Sequence, residues 1–209
     1  MKRDSVLRFF ANSDKKGLHM KLIIASNNKH KIKEIKEILG GRFDEILSLR
    51  EAGIDHETVE DGTTFIENAR KKAREIAEIS GCAALADDSG ITAHALGDKP
   101  GIYSARFAGV HGDDEANNDL LLASLKDKED KTAHYTAAIV LFYPDGRTVE
   151  AEGYMYGKII EERRGTRGFG YDPIFVPDGE CRTVAEMTDE EKNAISHRAK
   201  ALSALVARL

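Results

Sequence analysis

Short apolar runs alternate with amphipathic stretches along most of the chain. Lys21-Leu22-Ile23-Ile24-Ala25 is an apolar run that stops at the polar stretch Ser26-Asn27-Asn28, after which Ile32, Ile35 and Leu39 recur at helical spacing up to Gly40-Gly41. This pattern predicts a strand, a tight loop and a helix that ends at glycine. Thr64-Phe65-Ile66-Glu67 fits the S/T-x-x-E capping box and opens a second helix, whose stripe of Phe65, Ala69, Ala73, Ile76 and Ala77 runs to Gly81. The acidic stretch from Ile54 to Gly62 before it reads as loop. Cys82 to Ala86 predicts a strand ending in Asp87-Asp88-Ser89-Gly90, two carboxylates and a turn.

A loop rich in Gly and Pro is expected from Gly97 to Gly112, and Asp113 or Asp114 can cap a helix carrying Leu120, Leu121 and Leu125. Strands over about 132–143 and 147–156 flank Pro144-Asp145-Gly146, a strong hairpin turn. Glu161 to Gly170 is charged and glycine-rich, hence an exposed loop, and leads through Tyr171-Asp172-Pro173 into Ile174-Phe175-Val176. Thr188-x-x-Glu191 is another capping box. One helix from there to the end would send Lys192, His197 and Arg198 in three directions at about 100° per residue. A break is therefore expected, with Ser196 capping a last helix whose stripe is Leu202, Leu205, Val206 and Leu209. Helices interleave with strands and at least one hairpin is antiparallel, so the class is α/β with a mixed sheet. Residues 1–19 hold a basic start and the cluster Val6-Leu7-Arg8-Phe9-Phe10, too short for a signal-peptide core. They are expected to be an extension outside the fold, leaving 20–209 as a single domain.

Composition narrows the function classes. At 209 residues and 41% apolar content the chain can bury a real core. No apolar run approaches the roughly 20 residues of a membrane-spanning helix, so a membrane partner is not expected. With 31 Lys plus Arg against 36 Asp plus Glu, net −5, the chain lacks the basic surplus of a nucleic-acid coat. Cys82 and Cys181 have no metal-ligand spacing and are expected to be free thiols in a cytoplasmic protein.

Several segments carry chemistry. Ser26 to Lys31 joins a strand to a helix N-terminus, where free N–H groups and the dipole attract anions; Lys29 and Lys31 add charge. The same residues also suit an ordinary capped helix with solvated lysines. Asp87 and Asp88 stand where open α/β sheets place site residues, and one of them can hold Mg²⁺ or orient a water. Alternation along an extended segment predicts that only one enters a given pocket. Glu57, Glu60 and Asp61 offer further oxygen ligands, or a merely solvated loop. Phe169-Gly170-Tyr171-Asp172 can clamp a flat heterocycle or form a turn of packed aromatics. Lys192 with Ser196-His197-Arg198 supplies donors for phosphates or for a carbonyl on a base. Nucleophile-elbow, H-E-x-x-H and G-x-G-x-x-G motifs are missing, which argues against covalent hydrolases, zincins and Rossmann dehydrogenases.

The segments ASNNKHKIKEI, EDGTTFIENA, ADDSGI, PGIYSARFAG, GFGYDPIF and MTDEEKNAISHRAKAL, in this order, resemble the pyrophosphatases of noncanonical purine nucleoside triphosphates, the inosine triphosphatase or HAM1-like family. The resemblance covers essentially Met20 to Leu209. It implies a homodimeric α/β protein with a long mixed sheet flanked by helices, and two lobes with a nucleotide cleft between them. It also implies Mg²⁺-dependent hydrolysis of ITP, dITP or XTP to the monophosphate and pyrophosphate, which cleanses the nucleotide pool. Ser26, Asn27, Asn28 and Lys31 match the family's triphosphate loop. Asp88 matches its general base and metal-linked aspartate, Ser89 a substrate contact and Asn68 a position near the phosphates. The metal-binding glutamate falls at Glu57 or Glu60. Phe169, Gly170, Tyr171 and Asp172 match the segment that brackets the base, and Lys192, His197 and Arg198 match residues that hold the nucleotide and read its 6-oxo group. The family loop often begins Thr-Gly-Asn, so Asn27 must adopt whatever backbone that glycine adopts. Other readings are a Maf-like pyrophosphatase for other modified nucleotides, a nucleotide-binding module without hydrolysis and, less favoured, a kinase.

Overall fold

The structure, a computed structural model, describes residues 18–209. The expected extension falls almost wholly outside these residues. Strand β1 (Leu18–Ile24) begins two positions before Met20 and lies between β2 (Phe43–Ser48) and the first residues of β3 (Ala83–Ala93), parallel to both. β3 then runs antiparallel to β4 (Lys99–Pro100) and to β5 (Thr132–Phe142), β5 to β6 (Thr148–Ile159) and β6 to β7 (Phe175–Pro177). The order β2-β1-β3-β5-β6-β7 is the mixed sheet of an α/β protein. Helices α1 (Lys29–Leu39), α2 (Phe65–Ser80), α3 (Asp114–Leu125), α4 (Asp189–Ile195) and α5 (His197–Val206) surround it.

Period-two alternation splits the core. Leu22, Ile24, Leu85, Ile139 and Leu141 face Ile35 and Leu39 of α1 and Leu202 and Leu205 of α5. Ile23, Ala84, Ala86, Ala138 and Val140 point the other way, onto Ala69, Ala73, Ile76 and Ala77 of α2. The small residues on both sides let α2 lie close against the strands. A third cluster gathers Ile91, Ala93, Ala133, Tyr135, Met155 and Ile159 with Leu121 and Leu125 of α3 at the far end of the sheet. β3, β5 and β6 thus run through both ends of the molecule, and a cleft opens between them.

Two expectations change, and one strand, β2, goes unannounced in the sequence. The Asp87–Gly90 segment is not a turn ending a strand but the middle of β3, because β5 supplies a partner for every residue from Ala84 to Ala93. Gly90 answers a close approach instead: a Cβ there would sit 2.3 Å from Ser104 Oγ and 2.6 Å from the Gly101 carbonyl oxygen. β2 has no clean alternation to announce it, with a burial pattern of two buried ends around exposed and half-buried residues. Leu209 lies beyond the end of α5 and is exposed, so the last stripe stops at Val206. The break before α5 is present: Ser196 is extended at φ −65°, ψ 152°, and its hydroxyl accepts from Ala199 N–H at 3.1 Å.

Candidate active site

The cleft begins where β1 leaves the sheet. Ile24 is the last β1 residue paired with β3, opposite Leu85, and Ala25 N–H closes that pairing with a 2.8 Å bond to the Leu85 carbonyl. Two residues further on, the Asp87 carbonyl takes two ammonium groups instead of a strand: Lys72 Nζ at 3.1 Å and Lys31 Nζ at 3.4 Å. This is the crevice outside the carboxyl ends of parallel strands, where open α/β sheets bind ligands.

The loop after β1 is built for its turn. Ser26 Oγ accepts from Asn28 N–H at 3.1 Å, and the Asn28 side-chain Oδ1 caps α1 by accepting from His30 and Lys31 N–H at 3.0 and 3.2 Å. Asn27 is exposed and borders the cleft. It does not adopt a glycine-like backbone, since Asp98 is the one non-glycine residue with positive φ among the described residues.

Asp87 and Asp88 both border the cleft, against the expectation that only one would. They do point to opposite faces of β3, but helices on both faces close around the strand at this point. Asp87 receives Arg198 Nε at 2.8 Å, Arg198 Nη2 at 3.3 Å, Lys31 Nζ at 2.7 Å and Ser89 Oγ at 3.0 Å. Burial opposes its ionisation, but Arg198 and Lys31 outweigh that and hold the carboxyl well below the usual range. Asp88 receives Lys72 Nζ at 3.1 Å and Asn68 Nδ2 at 3.2 Å. Asn68 in turn accepts from Gly62 N–H at 2.9 Å, which fixes the end of the preceding loop.

Lys72 also meets Glu60 at 2.9 Å, so one ammonium bridges two carboxylates. Burial works against this charge, yet Asp88 and Glu60 raise its pKa above the ordinary lysine value. Arg106 lies 3.6 Å from Glu60 on the far side of the cleft. Glu57 is exposed at the rim and takes part in none of these contacts. Asp61 pairs with Lys71 at 2.7 Å, away from the cluster.

At the other end of the cleft Phe169 packs under cations. Lys192 Nζ lies 4.6 Å from its ring centroid and the Arg198 guanidinium 5.9 Å, while His30 stacks on it at 5.0 Å and 17°. Asp172 is buried and turned inward: it accepts from Phe169 N–H at 3.0 Å, Lys192 Nζ at 2.8 Å and Tyr135 Oη at 3.3 Å. Tyr171 is buried at the cavity wall, and its hydroxyl donates to the Ser104 carbonyl at 2.8 Å. Glu34 of α1 completes the group, with Lys192 at 2.9 Å and a bond from Arg198 Nη1. Four of the five guanidinium N–H groups are so engaged with Asp87, Glu34 and Ser89, and the second hydrogen on Nη1 has no partner among the described residues.

His197 is buried and stacks on Tyr135 at 4.7 Å, and its Nδ1 has no partner among the described residues. Burial, followed by the charge of Arg198, pushes its pKa well below 6.5, so the ring is neutral. Its placement depends on Gly153 of β6, where a Cβ would stand 2.2 Å from the His197 carbonyl oxygen.

Sequence reasoning missed Lys72, Glu34 and Arg106. Lys72 is one helical turn after Asn68 and Glu34 one turn after Lys31, spacings that place each on the face of a residue already singled out.

The cavity holds about 730 Å³. With ammonium and carboxylate groups at one end and an aromatic ring with amphipathic donors at the other, it defines an α/β protein whose site suits a polyanion carrying a flat head. Residues 22–208 match the Ham1 family, and the chain belongs to it. A dITP/XTP pyrophosphatase of Clostridium perfringens is 50% identical over 193 residues, covering 88% of this chain and 95% of that one. The Bacillus subtilis dITP/XTP pyrophosphatase is 47% identical over 185 residues, with 88% and 93% covered. The structure of the Staphylococcus aureus Ham1 protein superposes with a TM-score of 0.82 at 38% identity, covering 90% of this chain and 97% of that one. A nucleoside-triphosphatase, dITP/XTP pyrophosphatase, from Mycobacterium abscessus gives 0.74 at 46% identity, with 90% and 99% covered.

Proposed function

We propose that this chain hydrolyses noncanonical purine nucleoside triphosphates, dITP, XTP and ITP, to the monophosphate and pyrophosphate. The relatives named for dITP and XTP support the substrate class. The observation that carries the chemistry is the bridge of Asp88 and Glu60 by Lys72, at the opposite end of the cleft from Phe169.

Those two carboxylates fit a hard dication. They come from separate elements, both present oxygen, and both are already neutralised by one cation that a second could replace. No three His, Cys, Asp or Glu side chains form a ligand cluster among the described residues. Mg²⁺ suits such a donor set, because it takes one or two carboxylates and fills its other positions with water and phosphate oxygens. When bound by Asp88 and Glu60 it supplies charge neutralisation at the phosphates and polarises the phosphorus under attack.

Asp88 takes the proton of a water whose oxygen bonds to the α-phosphorus, and the bond from that phosphorus to the bridging oxygen breaks. Lys31 and Lys72 stabilise the charge that develops on the departing pyrophosphate. Phe169 stacks on the base, and the free Nη1 hydrogen of Arg198 donates to a 6-oxo group. An adenine would set its own N6 donors against that hydrogen, at about 1–3 kcal/mol for each buried group left unpaired.

The test offers dITP, XTP, ITP, GTP and ATP with and without Mg²⁺ and resolves pyrophosphate from orthophosphate. Pyrophosphate from the first three, with Mg²⁺ required, is expected, and Asp88→Asn should lower kcat about 100-fold or more while nucleotide still binds. Orthophosphate release, or ATP turned over equally well, overturns the reading. A homodimer in the cytoplasm goes with the same reading, and light scattering on the purified protein checks the dimer.

A further inference from the structure

Helix α3 grips the loop that carries Phe169 by both backbone polar groups of one residue, Gly170, from Asp114 at its start and Asn118 one turn on. Gly170 N–H donates to Asp114 Oδ2 at 2.7 Å, and the Gly170 carbonyl accepts from Asn118 Nδ2 at 2.8 Å. Asn118 Nδ2 also donates to the carbonyl of Asp114 at 2.7 Å, which ties the two jaws together. The grip is needed because Gly170 is left-handed at φ +62° and no strand ladder runs through this loop. Asn118 is 1% exposed and Asn117 2% exposed, on a helix whose neighbouring Leu121 and Leu125 are core residues.

Adjacent helix positions diverge by about 100°, so Asn117 reaches a different segment. Its Oδ1 accepts from Ala108 N–H at 2.8 Å and its Nδ2 donates to the Ala105 carbonyl at 3.3 Å, either side of Arg106. The two ends of the cleft therefore hang from neighbouring residues of one helix.

We propose that Asp114 and Asn118 are positioning residues for base recognition, acting through the Gly170 backbone on Phe169, and that Asn117 positions Arg106 at the phosphate end. The inference rests on the pyrophosphatase reading for its substrate. Releasing the Gly170 backbone lets the Phe169 ring leave the plane that the base needs, which weakens binding. Releasing Ala105 and Ala108 lets Arg106 drift from Glu60, which slows the chemistry.

A double-mutant cycle tests this. Asp114→Ala, which leaves the helix N-cap Asp113 intact, and Asn118→Leu, which keeps the side-chain volume, should each raise KM for dITP about tenfold with kcat changed less than about threefold. In a Phe169→Leu background the same changes should raise KM by no more than about twofold, because the ring they act on is gone. Asn117→Leu should show the reverse split, in kcat. Equal KM effects in both backgrounds, or a lowered Tm with kcat and KM unchanged in Asp114→Ala, would show mere stitching of the loop and overturn the proposal. Wild-type pyrophosphate release from dITP is measured first. If the wild type gives none, the reaction assignment fails separately, and the same cycle read by calorimetry of dITP binding still decides the positioning role.

Discussion

Lys31 and Lys72 belong to helices on opposite faces of the sheet, and their ammonium groups meet at one atom, the carbonyl oxygen of Asp87. The meeting is possible because β1 has already left the sheet, so neither helix is held off by a neighbouring strand. Each lysine also takes one carboxylate of the adjacent pair, Lys31 that of Asp87 and Lys72 that of Asp88. Two cations thus converge on one point of the cleft, where the proposed reaction would bring the phosphate chain.

Lys72→Met should separate the electrostatic role of this residue from its packing. Asp88 then loses its ammonium partner and Glu60 keeps only Arg106 at 3.6 Å, so kcat should fall about 100-fold and Tm should drop in metal-free buffer. Added Mg²⁺ should raise the Tm of the variant more than that of the wild type, as read by scanning fluorimetry. Equal Mg²⁺ shifts would refute the idea that the metal and the ammonium compete for the same pair.

Arg198 has to be probed with a variant that keeps its charge. Arg198→Ala takes the guanidinium from Asp87, which is 1% exposed and keeps only Lys31 as a cation, and should cost about 3–5 kcal/mol in denaturant unfolding, so a loss of base preference there would be ambiguous. Arg198→Lys retains the cation but not the planar fork. It should fold, and the ratio of kcat/KM for dITP over dATP should fall about tenfold or more. An unchanged ratio would remove Arg198 from base selection.

His197 gives the fold a pH dependence of defined sign. Its folded pKa lies well below 6.5, chiefly because it is buried, so between the two values the unfolded chain binds a proton that the folded chain does not. Stability is therefore full above 6.5 and declines as pH falls below it, by up to about 1.4 kcal/mol per pH unit for one group. Urea melts from pH 7.5 to 5 should show this slope, and His197→Asn should flatten it. Asp87 and Glu34 have depressed pKa values, with burial opposed by Arg198 in both. Their contribution is present above about pH 4 and is lost only at lower pH, outside that window.

Gly153→Ala should shift the start of α5, since the added methyl falls within contact of both the His197 carbonyl oxygen and Ala201 N. A loss of about 1–3 kcal/mol is expected, with a raised KM for dITP. Stability equal to wild type would mean that α5 does not need this close seat on β6.

Local signals made the elements legible. The Ser196 break could be read because a capping residue and a misdirected helical face pointed to the same boundary, and the hairpin because Pro144-Asp145-Gly146 separates two β-rich runs. The charged interior was harder to read. In Lys71-Lys72 one lysine reaches the solvated Asp61 and its neighbour the cleft, and nothing in the pair says which. Glu34 sits in a helix of alternating Lys and Glu and is buried only because Lys192 and Arg198 arrive from the far end of the chain. Alternation along β3 predicts that only one of Asp87 and Asp88 enters a pocket without saying which, and the family resemblance singles out Asp88. The cavity, however, wraps both faces of the strand. Charge burial is decided by partners distant in sequence, and composition carries no record of them.

The continuity of β3, β5 and β6 through both ends of the molecule bears on how the cleft moves. A hinge needs a few loop or terminal residues that can absorb a large change in backbone angles. Here the two walls share hydrogen-bonded ladders from Ala84 to Ala93 and from Thr132 to Phe142. Widening the gap would therefore mean bending paired strands rather than turning about a loop. On the proposed reading, a base is then sorted by its fit between walls that belong to one continuous sheet.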